Sequence, residues 1–95
     1  MKGTEKQIKW AEDIKKEFLK DLNLSMELLG SKSEEYKEKI AKVIKWVENI
    51  DSAEDLIAMK ISYGCNPNNL IYSWKIDRTL ESYKRMNIDT KTLHL

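Results

Sequence analysis

The chain has few of the residues that interrupt helices, form cross-links or catalyse reactions. Its 95 residues include one cysteine, one proline, three glycines and one histidine. A single cysteine excludes a disulfide within the chain and fits a reducing cytosol. No apolar run approaches the roughly 18 residues that span a bilayer, and the charged first twenty residues lack the apolar segment of a signal peptide. We therefore expect a cytoplasmic protein without membrane contact.

The remaining composition favours helices. Lys, Glu, Leu, Ile, Met and Ala are good helix formers, and 41% hydrophobic with 35% charged residues indicates a folded chain with a thin core. The sequence predicts an all-α fold, a small helical bundle of three to five helices in one domain over residues 1–95. The net charge is +1, without the strongly basic balance of a dedicated nucleic-acid binder.

Side-chain capping patterns indicate where the helices begin. The predicted starts are Thr4 with Gln7, Ser31 with Glu34, Asp51 or Ser52 with Glu54 or Asp55, and Asn66 with Pro67. Gly30 is expected in the left-handed conformation that often ends a helix. Residues 21–29 are compatible with a continued helix, a turn or a short second helix. Residues 71–76 are compatible with a helix or a strand, with Asp77 as a further helix start, and residues 87–95 suggest a loose tail.

A seven-residue phrase occurs twice, 36 positions apart, at Ile8–Ile14 and Ile44–Ile50. It places Trp10 and Trp46 at equivalent positions. On two helices, each tryptophan would lie about 100° from the centre of its apolar stripe. Both rings are therefore expected at a rim, where they either cover the edge of the core or contact a partner. A true internal duplication and shared helical constraints both remain open explanations.

The aromatic residues predict a binding surface, since Trp and Tyr are favoured anchors at interfaces. The expected contacts to a protein partner are Trp10, Trp46, Tyr72 and Trp74, with Lys75 and Arg78 as a charged rim. The alternative is nucleic-acid binding through Lys75, Arg78, Lys84 and Arg85, with residues 67–76 as the recognition segment of a helix-turn-helix. A two-fold dimer that uses the same patch on both subunits is also open.

Catalytic chemistry has little support in this sequence. His94, the only histidine, lies next to the C-terminus, and Cys65 has no histidine near it in sequence. There is no CxxC, HExxH, EF-hand or phosphate-binding glycine loop, and the carboxylates alternate with lysines as on a solvated helix face. We expect no catalytic residues, no metal and no cofactor, and hence no enzyme.

The opening segment Thr4–Ile14 reads T-E-K-Q-I-K-W-A-E-D-I. It resembles the start of small proteins from low-GC Gram-positive bacteria, their phages and their mobile elements, which open with a T-E-K-Q-I-x-W-A-E-x-I phrase. The resemblance covers about eleven residues and implies a phage or mobile-element context. Small helical proteins from such elements often occupy a surface on a host protein, as the anti-CRISPR inhibitors of host defence do. This context implies a non-enzymatic binder of a host protein, and an inhibitor of a nucleic-acid-targeting defence complex.

Overall fold

A computed structural model describes residues 1–95 and contains four α-helices without a strand. The helices are α1 (Glu5–Ser25), α2 (Glu34–Glu48), α3 (Ala53–Ile61) and α4 (Ser73–Arg85). A π-helical turn, Met26–Gly30, extends α1, and a 3₁₀ turn, Pro67–Ile71, lies between α3 and α4. The predicted all-α bundle of three to five helices is confirmed.

Two of the predicted capping sites set helix starts as expected. The Thr4 hydroxyl accepts a hydrogen bond from the Gln7 N–H at 3.2 Å, and the Gln7 side-chain oxygen accepts from the Thr4 N–H at 3.0 Å. The Ser52 hydroxyl accepts from the Asp55 N–H at 3.2 Å. Each bond satisfies a backbone donor that has no partner within the helix. Asn66 and Pro67 also open a helical turn as predicted, although that turn is 3₁₀.

The predicted start of α2 is wrong by two residues. Ser33, and not Ser31, has extended backbone, and its hydroxyl accepts from the Tyr36 N–H at 3.4 Å. Ser31 keeps helical backbone angles, and its hydroxyl donates to the Glu27 carbonyl oxygen at 2.8 Å. Ser31 directly follows the π-helical turn that continues α1 and caps its end, so the N-cap of α2 is Ser33.

Gly30 lies in a close contact and does not form a left-handed turn. Its φ is not positive, which overturns that expectation. It is buried where the π-helical turn meets α2, and a Cβ there would lie 2.6 Å from the Met26 Sδ and 3.6 Å from the Lys37 Cα. Residues 21–29 are thus a continued helix whose last turn widens. A side chain larger than hydrogen at position 30 would displace Met26.

Residues 67–76 form neither a strand nor one recognition helix. The 3₁₀ turn ends at Ile71, Tyr72 has extended backbone (φ −103°, ψ 119°), and α4 begins at Ser73 instead of Asp77. Leu70 and Ile71 are buried in the core and could not enter a DNA groove. The helix-turn-helix interpretation and the strand alternative are therefore both wrong.

The core lies where α1 packs against α2 and α3, and the 3₁₀ turn contacts both α1 and α2. The apolar stripe of α1 recurs every three or four residues, as an amphipathic helix requires, and consists of Ala11, Ile14, Phe18 and Leu22. The other helices contribute Ile40, Val43, Val47, Leu56, Met59 and Tyr83. The eighteen buried apolar residues form one cluster.

The last residues are docked, where the sequence suggested a loose tail. Asn87 has a positive φ of 59°, and the N–H of Ile88 donates to the Tyr83 carbonyl oxygen at 2.9 Å. This is the Schellman arrangement at the end of a helix, with asparagine in the left-handed position. It turns the chain back so that Ile88 and Leu93 are buried. The tail therefore completes the core.

Candidate functional site

Four residues around the start of α4 form a group of aromatic rings and cations, which we call the Trp74 surface: the half-buried Tyr72 and the exposed Trp74, Lys75 and Arg78. The rings of Tyr72 and Trp74 are tilted by 34° with centroids 5.1 Å apart. The Lys75 Nζ lies 5.5 Å from the centre of the Tyr72 ring, within the range of a cation–π contact. The indole of Trp74 is nevertheless 71% exposed.

The periodicity of α4 explains why Trp74 faces solvent. Thr79 and Tyr83 are four residues apart and are the buried residues of this helix. Trp74 lies nine residues before Tyr83, a rotation of about 900°, which places it on the opposite side of the helix. Arg78 is one turn after Trp74 and is exposed as well. The buried face of α4 thus fixes the outward direction of the Trp74 surface.

A polar cleft of about 440 Å³ adjoins this surface, between α4 and the loop that follows α3. Its lining includes Tyr63, Asn66, Asn69, Lys75, Arg78 and Ser82. Tyr63 is fully exposed and was not among the residues expected from sequence. It precedes Gly64, whose φ of +76° marks a tight turn, and an aromatic residue at such a turn was the available signal.

The cations of this surface have no carboxylate partner within the chain. The structure contains two ion pairs, Met1 with Asp51 and Lys60 with Glu17. Lys75 and Arg78 take part in neither, although the acidic Asp77 and Glu81 are on the same helix. Their charges are therefore available to a partner.

Trp46 does not belong to the binding surface that the sequence predicted. It is only 5% exposed, its ring stacks on Tyr83 with centroids 5.5 Å apart, and its Nε1–H donates to the Asp89 carbonyl oxygen at 3.0 Å. The expectation of a rim position failed because α4 and the docked tail cover this side of α2. Trp46 is a core residue.

Trp10 is 48% exposed but lies far from the Trp74 surface along α1. The other end of α1 is joined to the 3₁₀ turn, because the Ser25 hydroxyl donates to the Asn68 side-chain oxygen at 3.1 Å. Tyr72 directly follows this turn. Trp10 precedes Ser25 by fifteen residues, which is about 22 Å of helix. The structure thus brings together Tyr72, Trp74, Lys75 and Arg78 and leaves Trp10 apart.

The four cations of the nucleic-acid alternative do not share one surface. Lys84 follows Lys75 by nine residues and so lies on the opposite side of α4, where it lines a separate cavity with Leu80 and Lys91. Arg85 lies close enough to Cys65 to influence its thiol. Only Lys75 and Arg78 line the same cleft.

Cys65 and His94 are the residues with catalytic potential, and they lie in different surroundings. Cys65 is buried, and burial raises the pKa of its thiol, although a hydrogen bond with Ser82 and the charge of Arg85 oppose the shift. A raised pKa favours the thiol over the nucleophilic thiolate. His94 is exposed and lines a cavity of about 380 Å³ with Lys42, Lys45 and Trp46. No three His, Cys, Asp or Glu side chains come together as a metal site would need.

Comparison with known proteins finds no matching family model, no similar curated protein and no similar solved structure. None of the helices combines the length and the apolar character that crossing a membrane requires.

Proposed function

We propose that this chain is a non-enzymatic protein that binds another protein through the Trp74 surface. The observation that carries the proposal is the exposed Trp74 indole, which is supported by the Tyr72 ring and flanked by two cations without ion-pair partners. Trp, Tyr and Arg are the residues most enriched at the energetic centres of protein interfaces. Burying this indole against a partner recovers the free energy that its exposure to water costs.

The partner in this proposal is a host protein of a Gram-positive cell. The resemblance of Thr4–Ile14 to phage and mobile-element proteins supplies this context, together with a cytoplasmic location. Within it, the chain would act stoichiometrically by covering a functional surface, as an inhibitor of a nucleic-acid-targeting defence complex does. An interface of standard size, about 800 Å² per partner, is a substantial share of the 6547 Å² that this chain exposes.

Direct nucleic-acid binding is the alternative, and the geometry favours it less. A duplex contact needs a continuous row of cations, because DNA carries one charge per ~1.7 Å of axis. Lys84 is on the far side of α4, and Asp77 and Glu81 interrupt the exposed cations along the helix. A protein partner requires no such row.

The test is affinity capture from a Gram-positive lysate, with and without nuclease, followed by mass spectrometry. We expect a protein that is retained after nuclease treatment and lost with Trp74→Ala. The matched control is Trp10→Ala, which removes the other exposed tryptophan. Each variant is first checked by thermal melting, because only folded protein reports on binding.

Three outcomes contradict the proposal. In the first, capture persists with Trp74→Ala, which shows that the Trp74 surface is not the contact. In the second, capture is abolished by nuclease and falls steeply between low and physiological salt, as phosphate contacts predict. Self-association that depends on Trp74 would make a second copy of the chain the partner instead of a host protein.

A further inference from the structure

We infer that the polar cleft beside the Trp74 surface is a carboxylate-binding pocket, which receives an Asp or Glu side chain of the partner protein. The inference rests on the proposed function, because it assigns the chemistry of the residue that the partner places next to Trp74. It concerns the cleft of about 440 Å³ between α4 and the loop after α3. This volume is within the range of protein pockets that bind side chains or small molecules.

Three side chains that line the cleft, those of Arg78, Lys75 and Asn66, offer hydrogen-bond donors. Arg78 offers a planar guanidinium, and this group binds a carboxylate through two parallel hydrogen bonds. Lys75 offers an ammonium group close by. The side-chain oxygen of Asn66 already accepts from the Asn68 N–H at 2.9 Å, so its amide N–H groups remain free to donate.

The loop that forms the other wall is held by its own hydrogen bonds. The Asn69 side-chain amide donates to the Gly64 carbonyl oxygen at 2.9 Å. The N–H of Asn69 donates to the Asn66 carbonyl oxygen, also at 2.9 Å. Below the loop, the Tyr83 hydroxyl donates to the Cys65 carbonyl oxygen at 2.7 Å. A wall fixed before binding lowers the entropic cost of ordering the site around a ligand.

No carboxylate of the chain occupies the cleft. Asp77 and Glu81 are absent from its lining, and neither forms an ion pair with Arg78. Two cations that share one cleft repel each other, and an incoming carboxylate relieves this repulsion while it accepts hydrogen bonds. The charge of the site is thus complementary to a single anionic side chain.

The surroundings favour an isolated carboxylate over a chain of phosphates. Beyond the cleft, Asp77 and Glu81 on α4 would repel the neighbouring phosphates of a nucleic-acid strand. An acidic residue on a folded protein enters alone, while an apolar residue near it packs on Trp74. We therefore expect the partner to present an acidic residue for the pocket, with apolar surface next to it that packs on Trp74.

NMR spectroscopy of the ¹⁵N-labelled chain tests the pocket directly. The probe is N-acetylglutamate amide, its uncharged control is N-acetylglutamine amide, and inorganic phosphate is the third ligand. We expect saturable shifts of the Asn66, Asn69 and Ser82 resonances with the glutamate compound at millimolar concentration, and none with the glutamine compound. Arg78→Gln should weaken the binding at least about tenfold, the usual effect of losing a hydrogen bond to a charged group. Lys84→Gln, which removes one charge from the far side of the same helix, should change it less than about twofold.

Three results of the NMR experiment would overturn the inference. They are no saturable shifts at the cleft, an equal loss with Lys84→Gln and Arg78→Gln, and tighter binding of phosphate than of the glutamate compound. The capture experiment separates this failure from that of the proposed function. A partner that is lost with Trp74→Ala but held undiminished by Arg78→Gln would refute the carboxylate pocket and leave the Trp74 surface intact.

Discussion

The sharpest stability prediction compares the two tryptophans of the repeated phrase. Trp46 is 5% exposed, stacks on Tyr83 and donates a hydrogen bond to the Asp89 carbonyl oxygen, whereas Trp10 is 48% exposed. Truncating a buried aromatic residue to alanine costs about 3–5 kcal/mol. A 95-residue domain has a total unfolding free energy of about 5–14 kcal/mol. Trp46→Ala should therefore remove about a fifth or more of the stability.

The half-exposed Trp10 buries less area and makes no side-chain hydrogen bond, so Trp10→Ala should cost about 1 kcal/mol. For a domain of this size, 1 kcal/mol corresponds to about 4–8 °C in Tm. The two variants should thus differ by about 8 °C or more. Thermal and urea unfolding followed by circular dichroism measures both quantities.

Trp46→Phe separates the hydrogen bond from the packing. Phenylalanine keeps an aromatic ring against Tyr83 but cannot donate to Asp89, so we expect a loss of about 1–2 kcal/mol.

Equal losses of unfolding free energy in Trp46→Ala and Trp10→Ala would refute the comparison. They would show that Trp46 is not a core residue and that the tail does not cover it.

Three further predictions concern the region between α3 and the end of α4. Gly64→Ala should lower the unfolding free energy by about 1–2 kcal/mol in urea titrations, because the φ of Gly64 is +76° and a side chain disfavours that conformation. An unchanged urea midpoint would show that residue 64 does not adopt this φ. Burial raises the pKa of Tyr83, so the folded chain keeps a proton that the unfolded chain releases near pH 10. The unfolding free energy should therefore fall above about pH 10, by up to about 1.4 kcal/mol per pH unit from this group, and Tyr83→Phe should remove this component; an identical alkaline slope in the variant would contradict the assignment. Cys65 should react with a disulfide reagent at pH 8 about 100-fold more slowly in the folded chain than in urea, because its thiol is buried and its pKa is raised; similar rates would show that the thiol is accessible.

Capping residues predicted the starts of helices correctly where a single side chain decides the position of the start. Thr4 and Ser52 cap helices because their hydroxyls reach a backbone N–H three residues on, a relation that the sequence shows directly. The start of α2 was misplaced because Ser31 and Ser33 offer the same chemistry. The choice between them depended on how far the π-helical turn continued α1, and neither serine indicates this in the sequence.

The candidate site was predicted in part. Tyr72, Trp74, Lys75 and Arg78 are close in sequence, so any regular structure keeps them near one another. Tyr63 lies near these residues only because the chain folds back after α3. No pattern in the sequence predicts that Tyr63 and α4 are close together. Lys84 was included because sequence proximity ignores the side of the helix, and the buried Tyr83 was needed to fix that side.

The repeated phrase shows how far local sequence can specify environment. Its apolar positions agree, since Ile14 and Ile50 are both buried and the charged positions are exposed in both copies. The tryptophans differ because nothing covers Trp10 completely, while α4 and the tail cover Trp46. The two copies also differ in where they end. Ile50, the last residue of the second copy, lies beyond the end of α2 at Glu48, whereas Ile14 lies within α1. The two copies therefore share the spacing of an amphipathic helix but not a common structural unit, which favours shared helical constraints over duplication. Of the three tryptophans Trp74 is the most exposed, at 71%, and the proposed binding function is therefore assigned to it.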